Sequence, residues 1–216
     1  MALAISQRDP KNIRDQLTQI LTEYRLTILD LLLLHDPFTY KTIENQNVRP
    51  KAIENSWRQM EQLVDAGYVR SLGLSNFSRD QIDRLIRFCN IKPVVLQMDS
   101  AILTFDRELM DYAHSFGIQV IVNDTNPNPT PLETAFLENE VVLKMAKNYL
   151  KNPHQILIRR AIQRDLIVLC CSTDPYRIRT SMSVFDFELS PDEMAKLDEV
   201  EDSVHRQCYR NNGRPT

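Results

Sequence analysis

Two rhythms of apolar residues alternate along the chain. Ile13, Leu17, Ile20, Leu21 and Tyr24 recur at helical spacing, behind an Asp9-Pro10 start that suits a helix N-terminus. Ile28-Leu-Asp-Leu-Leu-Leu-Leu34 is instead a short, nearly unbroken apolar run, the pattern of a strand buried on both faces. The alternation then continues. Pro50 to Ala66 reads as a helix with Ile53, Trp57, Met60, Leu63 and Val64 on one face, and Tyr68 to Leu74 as a strand. Ser78-Arg-Asp-Gln81 has the capping-box form that opens the next helix. Pro93 to Met98 predicts a strand, Arg107 to Phe116 a helix and Ile118 to Val122 a strand. Asn139 to Leu150 and Pro153 to Arg164 predict two helices, the second capped by Asn152 with Gln155. Leu166 to Cys171 predicts a strand and Asp174 to Val184 a helix. Ser190-Pro-Asp-Glu193 opens a last helix that should end near Glu201.

A strand followed by a helix, five times over, implies parallel pairing, because parallel neighbours need a long crossover. The pattern leaves two architectures open: an open doubly wound sheet and a (β/α) barrel. No segment of 20–50 residues repeats, which excludes a solenoid. Asn123 to Pro131 is crowded with Asn and Pro and reads as a loop. One domain is expected over residues 1–216, with its ordered part at about 9–201 and a flexible tail at 202–216.

Composition narrows the chemistry. The chain has 216 residues, 43% hydrophobic and 25% charged, as in an ordinary globular protein. Its net charge of −3 gives no basic face for nucleic acid or an anionic membrane. The longest apolar runs fall far short of the roughly 20 residues of a membrane span. The start, Met1-Ala-Leu-Ala-Ile5, is too short for a signal-peptide core of about 7–15 apolar residues. There are 4 glycines, where average usage gives about 15. No glycine-rich phosphate loop is present, so a nucleotide site must be built from side chains and helix ends. Cys89, Cys170, Cys171 and Cys208 form no C-x-x-C pair and read as reduced cytoplasmic thiols. His35, His114, His154 and His205 make no metal-ligand spacing, so no metal site is expected.

Five segments in order carry a resemblance to a known family. Leu32-Leu-Leu-His-Asp-Pro37 resembles the strand-ending L-x-H-x-P of aldo-keto reductases, and Trp57 to Gly67 that family's next helix. Val69-Arg-Ser-Leu-Gly-Leu-Ser-Asn-Phe77 is similar to its G-[VIL]-S-N-F signature. Ile91 to Gln97 resembles its K-P-x-x-x-Q strand, and Ile178 to Ser190 its C-terminal cofactor helix and the start of the helix after that. The resemblance implies an α/β (β/α)8 TIM barrel, with the site at the C-terminal strand ends. It makes His35 the end of the fourth strand. The chain then supplies strands four to eight, an incomplete barrel, with Met1 to Ile5 as a stub of the third.

The same resemblance implies NADP(H)-dependent reduction of a small carbonyl substrate. The family uses a tyrosine proton donor tuned by an aspartate and a lysine, because a free phenol is a poor acid at neutral pH. Those three residues find no match here; Gln7 falls where the lysine would stand. His35 matches the histidine that orients substrate. Ser75, Asn76 and Gln97 match residues that bind the nicotinamide carboxamide, and neutral polar groups suit an amide. Ser75-Asn76-Phe77 also suits a plain strand-to-helix turn, and both readings stay open. Ser172 and Arg177 match phosphate-binding positions. Several positions depart from the family. Asn123 replaces the ring-stacking tyrosine, Asp124 a serine near the pyrophosphate, and Cys171 the lysine at the 2′-phosphate. Thr180 and Ser181 replace the Glu-Asn pair at the adenine. Cofactor binding should therefore be weak and the chain inactive or nearly so. The alternative is a non-catalytic subunit similar to the regulatory subunit of glutamate–cysteine ligase. With Ile28–Leu34 and Leu166–Cys171 as uncovered apolar edges, self-association or a protein partner is expected.

Overall fold

Short apolar runs become strands and amphipathic runs become helices, in the alternation the sequence predicts. The computed structural model describes residues 2–6, 13–35, 48–101, 106–124, 131–170 and 172–212. The chain divides into two compact units, Met1–Asp99 with Arg107–Val120, and Ser100–Asp106 with Ile121–Thr216. Strands follow one another in the sheet in chain order.

The first unit carries β1 (Ala2–Ser6), α1 (Ile13–Glu23), β2 (Leu29–His35), α2 (Val48–Asp65), β3 (Val69–Ser75), α3 (Arg79–Phe88), most of β4 (Val95–Ala101), α4 (Arg107–Ser115) and the start of β5 (Gln119–Asp124). The strands β1 to β4 pair in parallel. Leu29, Leu32, Leu33 and Leu34 of β2 are buried, and Trp57 and Met60 of α2 are wholly buried. Two polar groups of α2 tie down the approach to β4. The Trp57 indole N–H donates to the Ile91 carbonyl at 3.1 Å. The buried Glu61 carboxylate accepts the backbone N–H groups of Asn90 and Ile91 at 2.6 and 2.8 Å. Gln81 accepts the Ser78 N–H at 2.8 Å, so the cap expected for α3 forms.

The second unit carries the rest of β5, then α5 (Pro131–Leu137), α6 (Glu140–Asn148), α7 (Pro153–Ile162), β6 (Leu166–Cys170), α8 (Pro175–Met182) and α9 (Pro191–Asn212). Its core gathers Phe136, Val142, Ile156, Leu157, Ala161 and Leu197. Arg160 is fully buried among them. Its guanidinium pairs with Asp198 at 2.7 Å and Glu201 at 2.5 Å, and Arg164 also pairs with Asp198. A buried cation is tolerated only with such partners. Near the start of α9, the Tyr149 hydroxyl donates to Glu193 at 2.7 Å, and that carboxylate pushes the phenol up to about 12.

Three features depart from the sequence reading. Residues Ala2–Ser6 form a strand paired along β2, from Ala2↔Leu31 to Ser6↔His35. The stub thus supplies backbone partners, and Ile28–Leu34 is an interior strand rather than an edge. A short helix, α5, begins at Pro131, the residue at which the sequence ends its loop; proline is preset for a first helical turn. Helix α9 continues to Asn212, past the end expected near Glu201 and into the segment expected to be a flexible tail, while residues 213–216 lie outside the described part.

Gly73 sits in register between Leu33 of β2 and Val95 of β4. A Cβ there would stand 2.5 Å from Val95 Cγ2, 2.6 Å from Leu33 Cδ2 and 3.0 Å from the Val95 carbonyl. Both side chains are buried, so neither can swing into solvent. Gly73→Ala is expected to destabilise the fold by about 1–3 kcal/mol, the usual range for overpacking, measured as a fall in the urea midpoint. An unchanged midpoint would show that the sheet can spread there.

Candidate functional site

Parallel register places four polar residues in one row. Ser6 pairs with His35, His35 with Ser75 and Ser75 with Gln97, at the C-terminal ends of β1, β2 and β3 and within β4. Carboxyl ends of parallel strands are where open α/β folds and barrels bind ligands. The row arises because β2 and β3 each close on a polar residue after an apolar run.

The centre of the row is a direct contact. His35 Nδ1 lies 2.8 Å from Ser75 Oγ. His35 is half-buried and Ser75 is 1% exposed. Asn76 comes next with φ 59°, the left-handed region that Asn tolerates better than most residues. Its backbone N–H donates to the Gln97 carbonyl at 2.8 Å, which binds the turn to β4. Phe77, the next residue of the turn, is buried. The structure thus unites His35, Ser75, Asn76 and Gln97. It also supports the plainer reading, since Ser75-Asn76-Phe77 is the strand-to-helix turn between β3 and α3. Ser75, Asn76 and Gln97 offer neutral hydrogen-bond donors and acceptors, suited to a carbonyl or an amide.

Ser172 and Arg177 belong to the second unit. Ser172 Oγ accepts the Asp174 N–H at 3.0 Å, and Asp174 caps α8 by accepting the Tyr176 N–H at 2.9 Å. Arg177, half-buried, lines a cavity of about 280 Å³ with Asn152, His154, Tyr176, Thr180 and Ser181. Gln155 holds its walls together. Its amide donates to the carbonyls of Thr180 and Ser183 at 3.0 and 2.9 Å, and it shares a capping box with Asn152. A guanidinium in such a hollow suits a phosphate, and Ser181 stands beside it, whereas the Thr180 hydroxyl donates back to the Tyr176 and Arg177 carbonyls, both at 3.1 Å. Cys171 and Gln7 lie outside the described residues, as do 36–47, 102–105 and 213–216. Asn123 is half-buried near the end of β5. Among the described residues no group of three His, Cys, Asp or Glu could hold a metal ion, and no helix is long and apolar enough to cross a membrane.

Sequence reasoning missed the His35–Ser75 contact. The signal was present: each is the last residue of its strand, so parallel pairing in the observed register sets them side by side. Thr180 and Ser181 stand out in the sequence only as departures, where the structure makes them walls of the Arg177 cavity.

Residues 4–202 match the model of the aldo/keto reductase family. The chain is 33% identical over 207 residues to aldo-keto reductase family 1 member A1 of Sus scrofa, covering 89% of this chain and 64% of that protein. It is 32% identical to an NADPH-dependent D-xylose reductase of Meyerozyma guilliermondii, covering 89% of this chain and 69% of that one. The aldose reductase of Schistosoma japonicum superposes with a TM-score of 0.78 at 33% identity, over 92% of this chain and 67% of that one. The chain thus spans about 64% of the length of the pig relative. Its α/β architecture is that of these TIM-barrel neighbours.

Proposed function

The chain belongs to the aldo/keto reductase family, and from that premise we propose that it is an NADP(H)-type oxidoreductase domain for small carbonyls whose 216 residues bind the cofactor weakly and reduce carbonyls little by themselves. The observation that carries this reading is the His35–Ser75 contact at the strand ends, in register with Gln97. The chemistry that a nicotinamide cofactor would supply, when bound, is a hydride for a carbonyl carbon. The chain's own part is to orient. His35 addresses the carbonyl oxygen, the amides of Asn76 and Gln97 suit the carboxamide, and Arg177 suits a phosphate. The missing part is the proton. No residue of the sequence matches the family's Asp, Tyr and Lys, and a positioned general acid is worth roughly 10²–10⁴-fold.

Weak binding is expected from the residues that match the family's phosphate positions. Asp124 replaces serine by a like charge, and Cys171 replaces a cation by a neutral thiol. We place the protein in the cytoplasm, a reading that the free thiol of Cys89 supports. For partners we propose self-association through β6. It is the last strand of the sheet order, and Ile167 and Leu169 are 44% and 43% exposed on it.

Three measurements test these readings. The purified chain should oxidise NADPH with aldehydes no faster than the blank; robust turnover that His35→Ala abolishes would overturn this. In calorimetry NADPH should bind weakly and no tighter than NADH, and Cys171→Lys should tighten NADPH selectively. A low-micromolar Kd with strong preference for NADPH would show the phosphate site misread. Light scattering at tens of micromolar should give a mass above the 25.2 kDa of one chain, whereas a clean monomer would dismiss β6 as an interface.

A further inference from the structure

The contact between His35 and Ser75 has a direction. Ser75 is 1% exposed, and among the described residues its hydroxyl has one hydrogen-bond partner, His35 Nδ1 at 2.8 Å. A hydroxyl has a single proton to give, and buried donors are paired. If the ring donated from Nδ1, the Ser75 proton would have no acceptor among the described residues. If Ser75 donates, both atoms are satisfied and the proton of the neutral ring sits on Nε2. We propose that Ser75 is a positioning residue: its hydroxyl donates to His35 Nδ1 and thereby fixes the ring as the Nε2–H tautomer.

The consequence reaches the ligand. His35 Nε2 has no partner among the described residues, and the half-buried ring stands at the carboxyl end of β2. Fixed in this form, the ring presents a donor, and the matching chemistry is an acceptor oxygen such as that of a small carbonyl compound. That ligand class rests on the reading under Proposed function; the tautomer does not. The same assignment limits what Ser75 can do toward a carboxamide. Its proton is committed to His35, so its oxygen can only accept from an amide N–H. The geometry is set by the strands, since His35 and Ser75 are register partners.

The test is long-range proton–nitrogen correlation spectroscopy of the nitrogen-15-labelled chain at mildly alkaline pH, where imidazoles are neutral. The chain has 4 histidines, and His35 is assigned by the signals missing from His35→Gln. The expected wild-type pattern is protonated Nε2 and bare Nδ1. In Ser75→Ala the Nδ1–H form should rise to a substantial fraction, and Ser75→Thr should restore the wild-type pattern. An Nδ1–H ring in the wild type, or no change in Ser75→Ala, would overturn the proposal. If Ser75→Ala does not fold, the wild-type spectrum alone decides. The readout needs neither cofactor nor turnover, so it can fail or succeed independently of the oxidoreductase reading. A benzaldehyde titration tests the ligand class separately. The His35 Nε2 signal should move in the wild type and less in Ser75→Ala, and an unmoved wild-type signal would remove the donor role.

Discussion

Parallel strand register is the constraint on which the rest of the first unit depends. Side chains alternate across a strand, so a slip of one residue would turn every one of them to the opposite face. The pairing His35↔Ser75↔Gln97 therefore decides two things at once. It decides which side of a strand buried on both faces each of Leu32, Leu33 and Leu34 fills, and it sets a histidine and a serine within hydrogen-bond reach at the strand ends. Gly73 makes that register sterically possible, because the neighbouring Leu33 and Val95 side chains fill the space a Cβ would need. The site and the core are thus specified by one set of backbone hydrogen bonds.

The second unit is specified differently. Its helices are held by polar ties that join distant parts of the sequence. Arg160 gathers Asp198 and Glu201 from α9 around its buried guanidinium, and Gln155 joins the start of α7 to the end of α8. Both ties consist of donors that would be costly to leave unpaired away from water. Helix α8 buries no side chain, so its placement rests on these bonds and on its Asp174 cap rather than on apolar packing. The Arg177 cavity lies against that lightly packed helix.

Much of this was legible in the chain itself. Strand and helix segments are set by apolar rhythm, and the caps at Ser78 and Asn152 form where the sequence places them. What stayed hidden has physical reasons. The strand at Ala2–Ser6 has too few residues for a periodicity to show, and only its partner β2 reveals it. Helix α5 is a seven-residue segment next to a proline-rich loop, below the length at which helical spacing declares itself. In α9 the apolar spacing of the sequence weakens after Val204, so the pattern gives no sign that the helix continues to Asn212. The site residues were legible one by one through family resemblance. Their mutual contact was not, because side-chain neighbourhood across strands is a property of register and not of spacing along the chain.

The Trp57 and Glu61 ties carry a consequence for how the binding group is positioned. Both bonds run from α2 to residues Asn90 and Ile91, just before β4 carries Gln97 into the row. The helix and the strand's entry are thereby coupled as parts of one rigid lever, with its fulcrum at a buried carboxylate. Gln97 inherits its place from a helix it does not belong to. Natural variation on the inner face of α2 would then tune ligand geometry at a distance, and sequences that drift at Trp57 or Glu61 should be read as having altered their binding group even where every residue of the row is kept.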